Sequence, residues 1–184
     1  MQELSMHIWD IAENSLRSGA SCIRVTIGLN RAADKLSIQV EDNGIGMDEG
    51  TIAQAVDPFY TNRKIRKVGL GLPLLKQSAE QSGGGFWLFS DGIGKGSRVL
   101  AEFVYSHINR APLGDIGAAI GRLICLNENV SIEYTFSVDA DSFMVTTGEL
   151  RVVLEGLALN TPEIAEAVSK LLRDNMHKIY SDIY

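Results

Sequence analysis

The sequence predicts an α+β protein: a two-layer α/β sandwich, with helices on one face of a mixed sheet, followed by a small C-terminal α+β appendage. Three observations carry that reading. Leu4 to Arg17 places Leu4, Ile8, Ile11, Ala12 and Leu16 close to helical spacing. Two segments then alternate, with Ile23, Val25, Ile27 and Leu29 set against Arg24, Thr26 and Gly28, followed by Leu36, Ile38 and Val40. That is the pattern of a hairpin with one face buried. From Ser106 onward the composition changes, which sets the expected division at 1–105 for a first domain and 106–184 for the appendage. At 184 residues, 45% hydrophobic and 22% charged, the chain suits one large domain or one domain with a small addition.

The elements follow in order. Ser18-Gly19-Ala20 ends the first helix, and Asn30 to Lys35 is the polar turn of the hairpin. Asp48-Glu49-Gly50-Thr51-Ile52 starts a short helix, and Asp57-Pro58-Phe59-Tyr60-Thr61-Asn62 interrupts the periodicity. Arg63, Lys64, Arg66 and Lys67 form a basic loop on an otherwise acidic chain. Gly69, Leu70, Gly71, Leu72 and Pro73 lead into a helix over Leu74 to Ser82, broken by Gly83-Gly84-Gly85. Phe86 to Ser90 and Arg98 to Tyr105 read as strands joined through a glycine-rich turn. Leu113 to Leu126 reads as a helix rich in small residues, suited to close packing on a partner. Two strands follow, Ser131 to Val138 and Phe143 to Thr147. Thr146-Thr147-Gly148-Glu149 is a capping box for a helix through Leu157. Thr161-Pro162-Glu163 opens the last helix, which runs to about Tyr180.

Composition excludes several classes. A formal charge of −6 and a pI near 5.1 argue against nucleic-acid binding through the whole surface. Cys22 and Cys125 lie far apart among apolar residues, as buried thiols in a reducing compartment do, and not as a disulfide framework or metal site. The N-terminus lacks a basic stretch followed by an apolar core, and no apolar run approaches a membrane span. The expectation is a cytoplasmic protein with no membrane association.

The chain is organised around Glu41-Asp42-Asn43-Gly44-Ile45-Gly46-Met47 at the end of the second strand. An acidic residue followed by two glycines suits a carboxylate at a pocket floor with bare backbone nearby, although Asp-Asn-Gly is also an ordinary turn signal. Asp10 and Asn14 stand four apart on one side of the first helix, with His7 one turn before Asp10 and Arg17 one turn after Asn14. A solvated polar face is the competing reading of that stripe, and His7 reads as a helix-surface or pocket-edge residue.

Four pieces then occur in one order: Asp10…Asn14, Asp42-x-Gly44-x-Gly46, Phe59-Tyr60-Thr61-Asn62 and Gly69-x-Gly71, with Gly94-Lys95-Gly96-Ser97 in a late hairpin. This order and spacing resemble the ATP-binding domain of the GHKL superfamily, which includes gyrase, heat-shock chaperone, histidine kinase and mismatch-repair ATPases. The match covers residues 4 to 105, with Ser97 where the family often has Thr. The resemblance implies a Bergerat-type fold that binds ATP and Mg²⁺. It implies that Asp42 accepts a hydrogen bond from the adenine amino group, with Gly44 and Gly46 approaching the base and Met47 packing against it. Asn14 would offer a carbonyl oxygen to Mg²⁺. Gly69, Leu70, Gly71 and Leu72 would aim backbone N–H groups at phosphates from a helix N-terminus. Phe59 and Thr61 belong to the third piece, and Arg17, Lys64 and their basic neighbours would neutralise phosphate charge. Residues 56–68 would form a lid over the nucleotide.

Asp10 departs from the family. In the chaperone, gyrase and mismatch-repair branches a Glu stands there and activates the attacking water, whereas many histidine kinases have a non-basic residue. Asp10 is one methylene shorter than Glu, and its acid favours hydrolysis or transfer to a hydroxyl over transfer to histidine. Glu13 lies around the helix from Asp10 and is expected in solvent. The chain mixes two patterns, with Asn14-Ser15-Leu16 like the mismatch-repair branch and Asp57-Pro58-Phe59-Tyr60-Thr61 like the kinases. None of His7, His107 and His177 precedes an acidic residue, and no long dimerisation hairpin precedes the domain, which argues against a complete autophosphorylating sensor kinase.

The expected function is Mg²⁺-dependent ATP binding with slow hydrolysis, coupled through lid closure to an unidentified protein partner. The alternatives are a protein kinase acting in trans on serine or histidine, or a non-catalytic nucleotide-sensing module. Residues 106–184 are an interaction or dimerisation candidate, which leaves a homodimer open.

Overall fold

The computed structural model of the chain describes residues 3–57, 71–155 and 157–180. Within them, α1 (Leu4–Arg17), β1 (Cys22–Asn30), β2 (Lys35–Asp42), α2 (Glu49–Ala55), α3 (Gly71–Gln81), β3 (Gly85–Phe89) and β4 (Ser97–Val104) come first. They are followed by α4 (Ile116–Leu126), β5 (Ser131–Val138), β6 (Asp141–Thr146), α5 (Thr147–Val153) and α6 (Pro162–Ile179). The six strands form one mixed sheet in the order β3-β4-β2-β1-β5-β6, as the two-layer α+β reading predicts. Only β1 and β5 run parallel; the other neighbours are antiparallel.

Alternation decides which face is covered. Ile23, Val25, Ile27 and Leu29 of β1 are buried, as are Leu36, Ile38 and Val40 of β2 and Val99, Ala101 and Phe103 of β4. On β5 the set is Ile132, Tyr134, Phe136 and Val138. Helices α1, α3, α4 and α6 pack on this face. The residues between point to the open face, where Arg24 bonds Glu133 (2.7 Å) and Glu41 (3.3 Å) across three strands. Burying each large apolar side chain stabilises the fold by about 1.5–3 kcal/mol before entropy is counted.

The segment after Ser106 is knitted into this sheet. β5 pairs along the length of β1, from Cys22 opposite Ser131 to Leu29 opposite Val138. Glu3 gives α1 no side-chain cap. Instead the N–H groups of Leu4 and Ser5 donate to the carbonyls of Pro112 and Leu113, both at 2.9 Å. Two orphan donors of the first helix are thus satisfied by the later half of the chain. The Tyr105 and Tyr180 hydroxyls form a further hydrogen bond between the two halves.

Element ends differ from the sequence reading for local reasons. α4 begins at Ile116 because Gly114 has φ +69° and Asp115 caps the helix, its Oδ1 accepting from the Ala118 N–H at 2.8 Å. α5 stops at Val153, and Glu155 at φ +48° turns the chain out of helical geometry. The capping box at Thr146 and Glu149 forms as read. The small-residue face of α4 packs on α6 of the same chain. A Cβ on Gly117 would lie 3.0 Å from the Ser169 carbonyl oxygen, and one on Gly121 would lie 3.0 Å from the Ser169 Cα.

Candidate nucleotide site

A cavity at the head of β2 has a volume of about 440 Å³. Ile11, Asn14 and Ser15 of α1 form one wall, and Asp42 with Ile45, Gly46 and Met47 form another. Leu72 of α3, Leu88 of β3, and Ser97 and Val99 of β4 close it. Its walls are largely aliphatic with a few convergent polar groups, the chemistry that suits a planar base held edge-on.

Asp42 is the most firmly held polar side chain there. Its Oδ1 accepts from the Gly44 N–H at 2.8 Å, and its Oδ2 accepts from the Ser15 hydroxyl at 2.8 Å and the Ser97 hydroxyl at 2.7 Å. Three donors from α1, β4 and the loop fix the carboxylate. An ionised carboxylate has about four acceptor sites, so capacity remains for one donor from a ligand. Ser97 and Asp42 are partners in the β2–β4 ladder, which accounts for their meeting.

The two glycine-rich segments interlock beneath this carboxylate. Gly96 N–H donates to the Gly44 carbonyl at 3.0 Å, and Gly94 N–H donates to that of Ile45. Ser90 Oγ accepts from the Met47 N–H at 2.9 Å and donates to the Gly96 carbonyl at 2.6 Å. Gly46 has φ +69°, and a Cβ there would collide with the Gly92 carbonyl. Gly44 is buried and its missing Cβ makes room for Ser18 Oγ; it stands behind the cavity wall rather than in it.

Asn14 lines the cavity, and its amide makes no hydrogen bond among the described residues. Its carbonyl is therefore open to a cation that carries most of its coordination as water and phosphate oxygens. No group of three or more His, Cys, Asp or Glu among the described residues could hold a metal alone. Arg17 is at the cavity rim, but its guanidinium bonds Glu13 at 2.7 Å on the exposed side of α1. Glu13 is thus the counterion of Arg17 as well as a solvent-facing residue.

Asp10 stands apart from Asn14. It lines a separate groove between α1 and α4, while its Oδ2 lies where a Cβ on Gly71 would be 3.4 Å away. Burial raises its pKa and Glu13 adds to the rise, against the opposing pull of His7 and Arg17. His7 corrects the sequence reading. It is only 2% exposed, so it belongs to the interior and not to the helix surface. Burial lowers its pKa despite Asp10, and its Nδ1 has no hydrogen-bond partner among the described residues.

Of the expected site residues, the structure brings Asn14, Arg17, Asp42, Gly46, Met47, Leu72 and Ser97 around one cavity, with Gly71 and Asp10 beside it. Phe59, Thr61, Lys64, Gly69 and Leu70 lie outside the described residues, as does most of the expected lid. Ser15 and Ser90 were not expected. Ser15 follows Ile11 by four residues on the same helix face, a spacing that could have pointed to it. Nothing local in the sequence marks Ser90.

A family model described as histidine kinase-, DNA gyrase B- and HSP90-like ATPase matches residues 2–106, and the chain belongs to this family. It is similar to sensor protein ChvG of Agrobacterium fabrum, 34% identical over 89 residues that cover 43% of this chain and 15% of that protein. It is also similar to sensor histidine kinase WalK of Bacillus subtilis, 32% identical over 104 residues covering 52% of this chain and 17% of that one. The chain therefore spans less than a fifth of the length of these relatives. Among solved structures, the N-terminal domain of a DNA repair protein aligns with a TM-score of 0.57 at 13% identity, covering 79% of this chain and 52% of that one. The MutL ATPase domain of Aquifex aeolicus complexed with ADP aligns with a TM-score of 0.50 at 14% identity, covering 85% and 68%. These likenesses establish the fold. No helix among the described residues is long and apolar enough to cross a membrane.

Proposed function

We propose that this chain binds ATP with Mg²⁺ in the 440 Å³ cavity, hydrolyses it slowly, and changes affinity for a protein partner as residues 56–68 close over the nucleotide. The observation that carries the reading is Asp42, held by three donors with acceptor capacity left toward an aliphatic-walled cavity. Asp42 reads the adenine amino group, the aliphatic wall with Met47 holds the ring, and Ser97 and Ser15 fix the carboxylate. Asn14 gives its carbonyl to Mg²⁺, which neutralises phosphate charge. The N-terminus of α3 at Gly71 and Leu72, with Gly69, Leu70, Lys64 and Arg17, receives the phosphates.

Asp10 beside Gly71 acts as general base toward the nucleophile that attacks the γ-phosphorus. A kinase acting in trans uses the same groups with a protein acceptor, and a nucleotide sensor uses all but Asp10. The test follows labelled γ-phosphate for wild type and Asp10→Asn, with equilibrium ATP binding for both and for Asp42→Asn. Free phosphate lost in Asp10→Asn while binding persists supports the ATPase. Phosphate retained on protein supports the kinase, and binding without turnover the sensor. No ATP binding by wild type sinks the proposal.

A further inference from the structure

One edge of the sheet lacks the devices that normally guard such an edge. β3 reads Gly85-Phe86-Trp87-Leu88-Phe89, with no charge, no proline and no bulge in its pairing with β4. Among the described elements its neighbours are β4 on one side and α3 over one face. Along its other side, backbone N–H and C=O groups have no described strand to meet. β3 is also the one strand of the sheet with no buried residue, and Trp87 and Phe89 are 42% and 40% exposed on the open face. The opposite edge, β6, begins with Asp141 and Ser142 and runs straight into α5. Sheet edges usually carry charges, prolines or a cover, because a bare apolar edge pairs with another chain.

The strand is complementary to itself. In an antiparallel pair of two copies centred on Trp87, Leu88 faces Phe86 of the other copy and Phe89 faces Gly85. Beyond the strand, Ser90 faces Gly84 and Asp91 faces Gly83. Large side chains thus meet glycines, and no charge meets a like charge from residue 83 to residue 91. Opposed residues of an antiparallel pair share a face, so the two Trp87 side chains meet on the open face while Phe86 and Leu88 pair on the inner one. The Trp87 indole already leans over Gly85, where an added Cβ would strike the ring. Phe89 of the second copy would come against that indole. An extended segment of another protein would gain the backbone bonds but not this matched run of glycines and aromatics, which favours a second copy.

We propose that two copies of this chain associate by antiparallel pairing of their β3 edges, centred on Trp87, which joins their six-stranded sheets into one. The contact is isologous and closes at a dimer. A strand of five residues gives an interface at the small end of the specific range, so the dimer is reversible, with a dissociation constant on the order of 10 µM. The small-residue face of α4, the other candidate for such a contact, is covered by α6. Leu88 closes the 440 Å³ cavity from the inner face of β3, so the junction lies beside the cavity wall of each copy. Pairing of this kind needs no nucleotide.

The test is sedimentation velocity on the full chain without nucleotide, from about 1 to about 500 µM. Wild type is expected to pass from monomer to dimer across this range. Trp87→Lys sets two ammonium groups against each other at the centre of the pair and is expected to stay monomeric throughout. Antiparallel partners hold their Cα atoms about 4.5–5.5 Å apart, within the reach of a disulfide. Trp87→Cys is therefore expected to form a covalent dimer under mild oxidation, whereas wild type, with Cys22 and Cys125 alone, is not. That cross-link decides the matter if Trp87→Lys does not fold. A wild type still monomeric at about 500 µM overturns the proposal and leaves the edge to an extended segment of another protein. A dimer that is indifferent to Trp87→Lys and gives no Trp87→Cys cross-link overturns it as well, and moves the contact to another surface.

Discussion

At the scale of single residues, three donors converge on Asp42 while Glu41, the residue before it on β2, faces the open side of the sheet. A hydrogen bond to a charged group contributes about 1.5–3 kcal/mol. Asp42→Asn is therefore expected to weaken ATP binding about 10- to 100-fold, measured by calorimetric titration. Ser97→Thr, which retains the hydroxyl, is expected to bind close to wild type, and Ser97→Ala more weakly. Asp10 carries the opposite balance. Burial holds its folded pKa above the ordinary 3.8, so the native state binds the proton more tightly than the unfolded chain. That contribution to stability is fully present below about pH 3.8 and is lost as pH rises through the raised folded value. Asp10→Asn cannot ionise. In urea midpoints measured from acid to neutral pH it is expected to lack this decline and to be at least as stable as wild type at pH 7, while losing turnover.

At the scale of elements, α4 and α6 approach closely because Gly117 and Gly121 present no side chain to Ser169 and Arg173. Gly121→Val forces a branched side chain against the Ser169 backbone and is expected to destabilise the fold by about 1–3 kcal/mol, read from denaturant unfolding. Asp115 joins the same two helices, capping α4 through the Ala118 N–H and receiving Arg173. Burial alone would raise its pKa, but the bonds from Arg173 and Ala118 outweigh it and leave the carboxyl lowered. Its contribution is therefore present above the ordinary carboxylate range and lost as pH falls through the depressed value. Asp115→Ala is expected to cost about 1 kcal/mol, mainly the lost cap, since the ion pair is partly exposed.

At the scale of the whole molecule, the two halves of the chain share one sheet and one core. Ile132, Tyr134 and Phe136 are 0–1% exposed beside β1, and Pro112 and Leu113 cap α1. A chain cut after Tyr105 would bare the β1 edge and the face of α1 that meets α4. It is expected to lack a cooperative thermal transition by circular dichroism, whereas the full chain should show one. A cut chain that unfolded cooperatively at a similar temperature would make residues 106–184 a separable unit.

Local chemistry was legible in the sequence: α1, β5 and the caps at Asp48, Thr146 and Thr161 depend on neighbours a few residues away, and periodicity or hydroxyl spacing reports them. The order of the glycine pieces around Asp10, Asn14 and Asp42 likewise identified the nucleotide-binding family, because a succession of short motifs along the chain is legible without the fold. Other features depended on residues distant in sequence. His7 reads as a surface polar group until the packed helices enclose it, and Ser15 reads as ordinary until β2 ends against its hydroxyl. Pairing of β5 with β1, capping of α1 by residues 112 and 113, and the groove opening onto Asp10 arise only when segments about 100 residues apart meet. The sequence by itself determined the elements and the nucleotide-binding family. Only the tertiary structure decided that Asn14 and Ser15 line one cavity while Asp10 lines a separate groove against α4, because burial and approach are properties of the packed chain and not of any window along it.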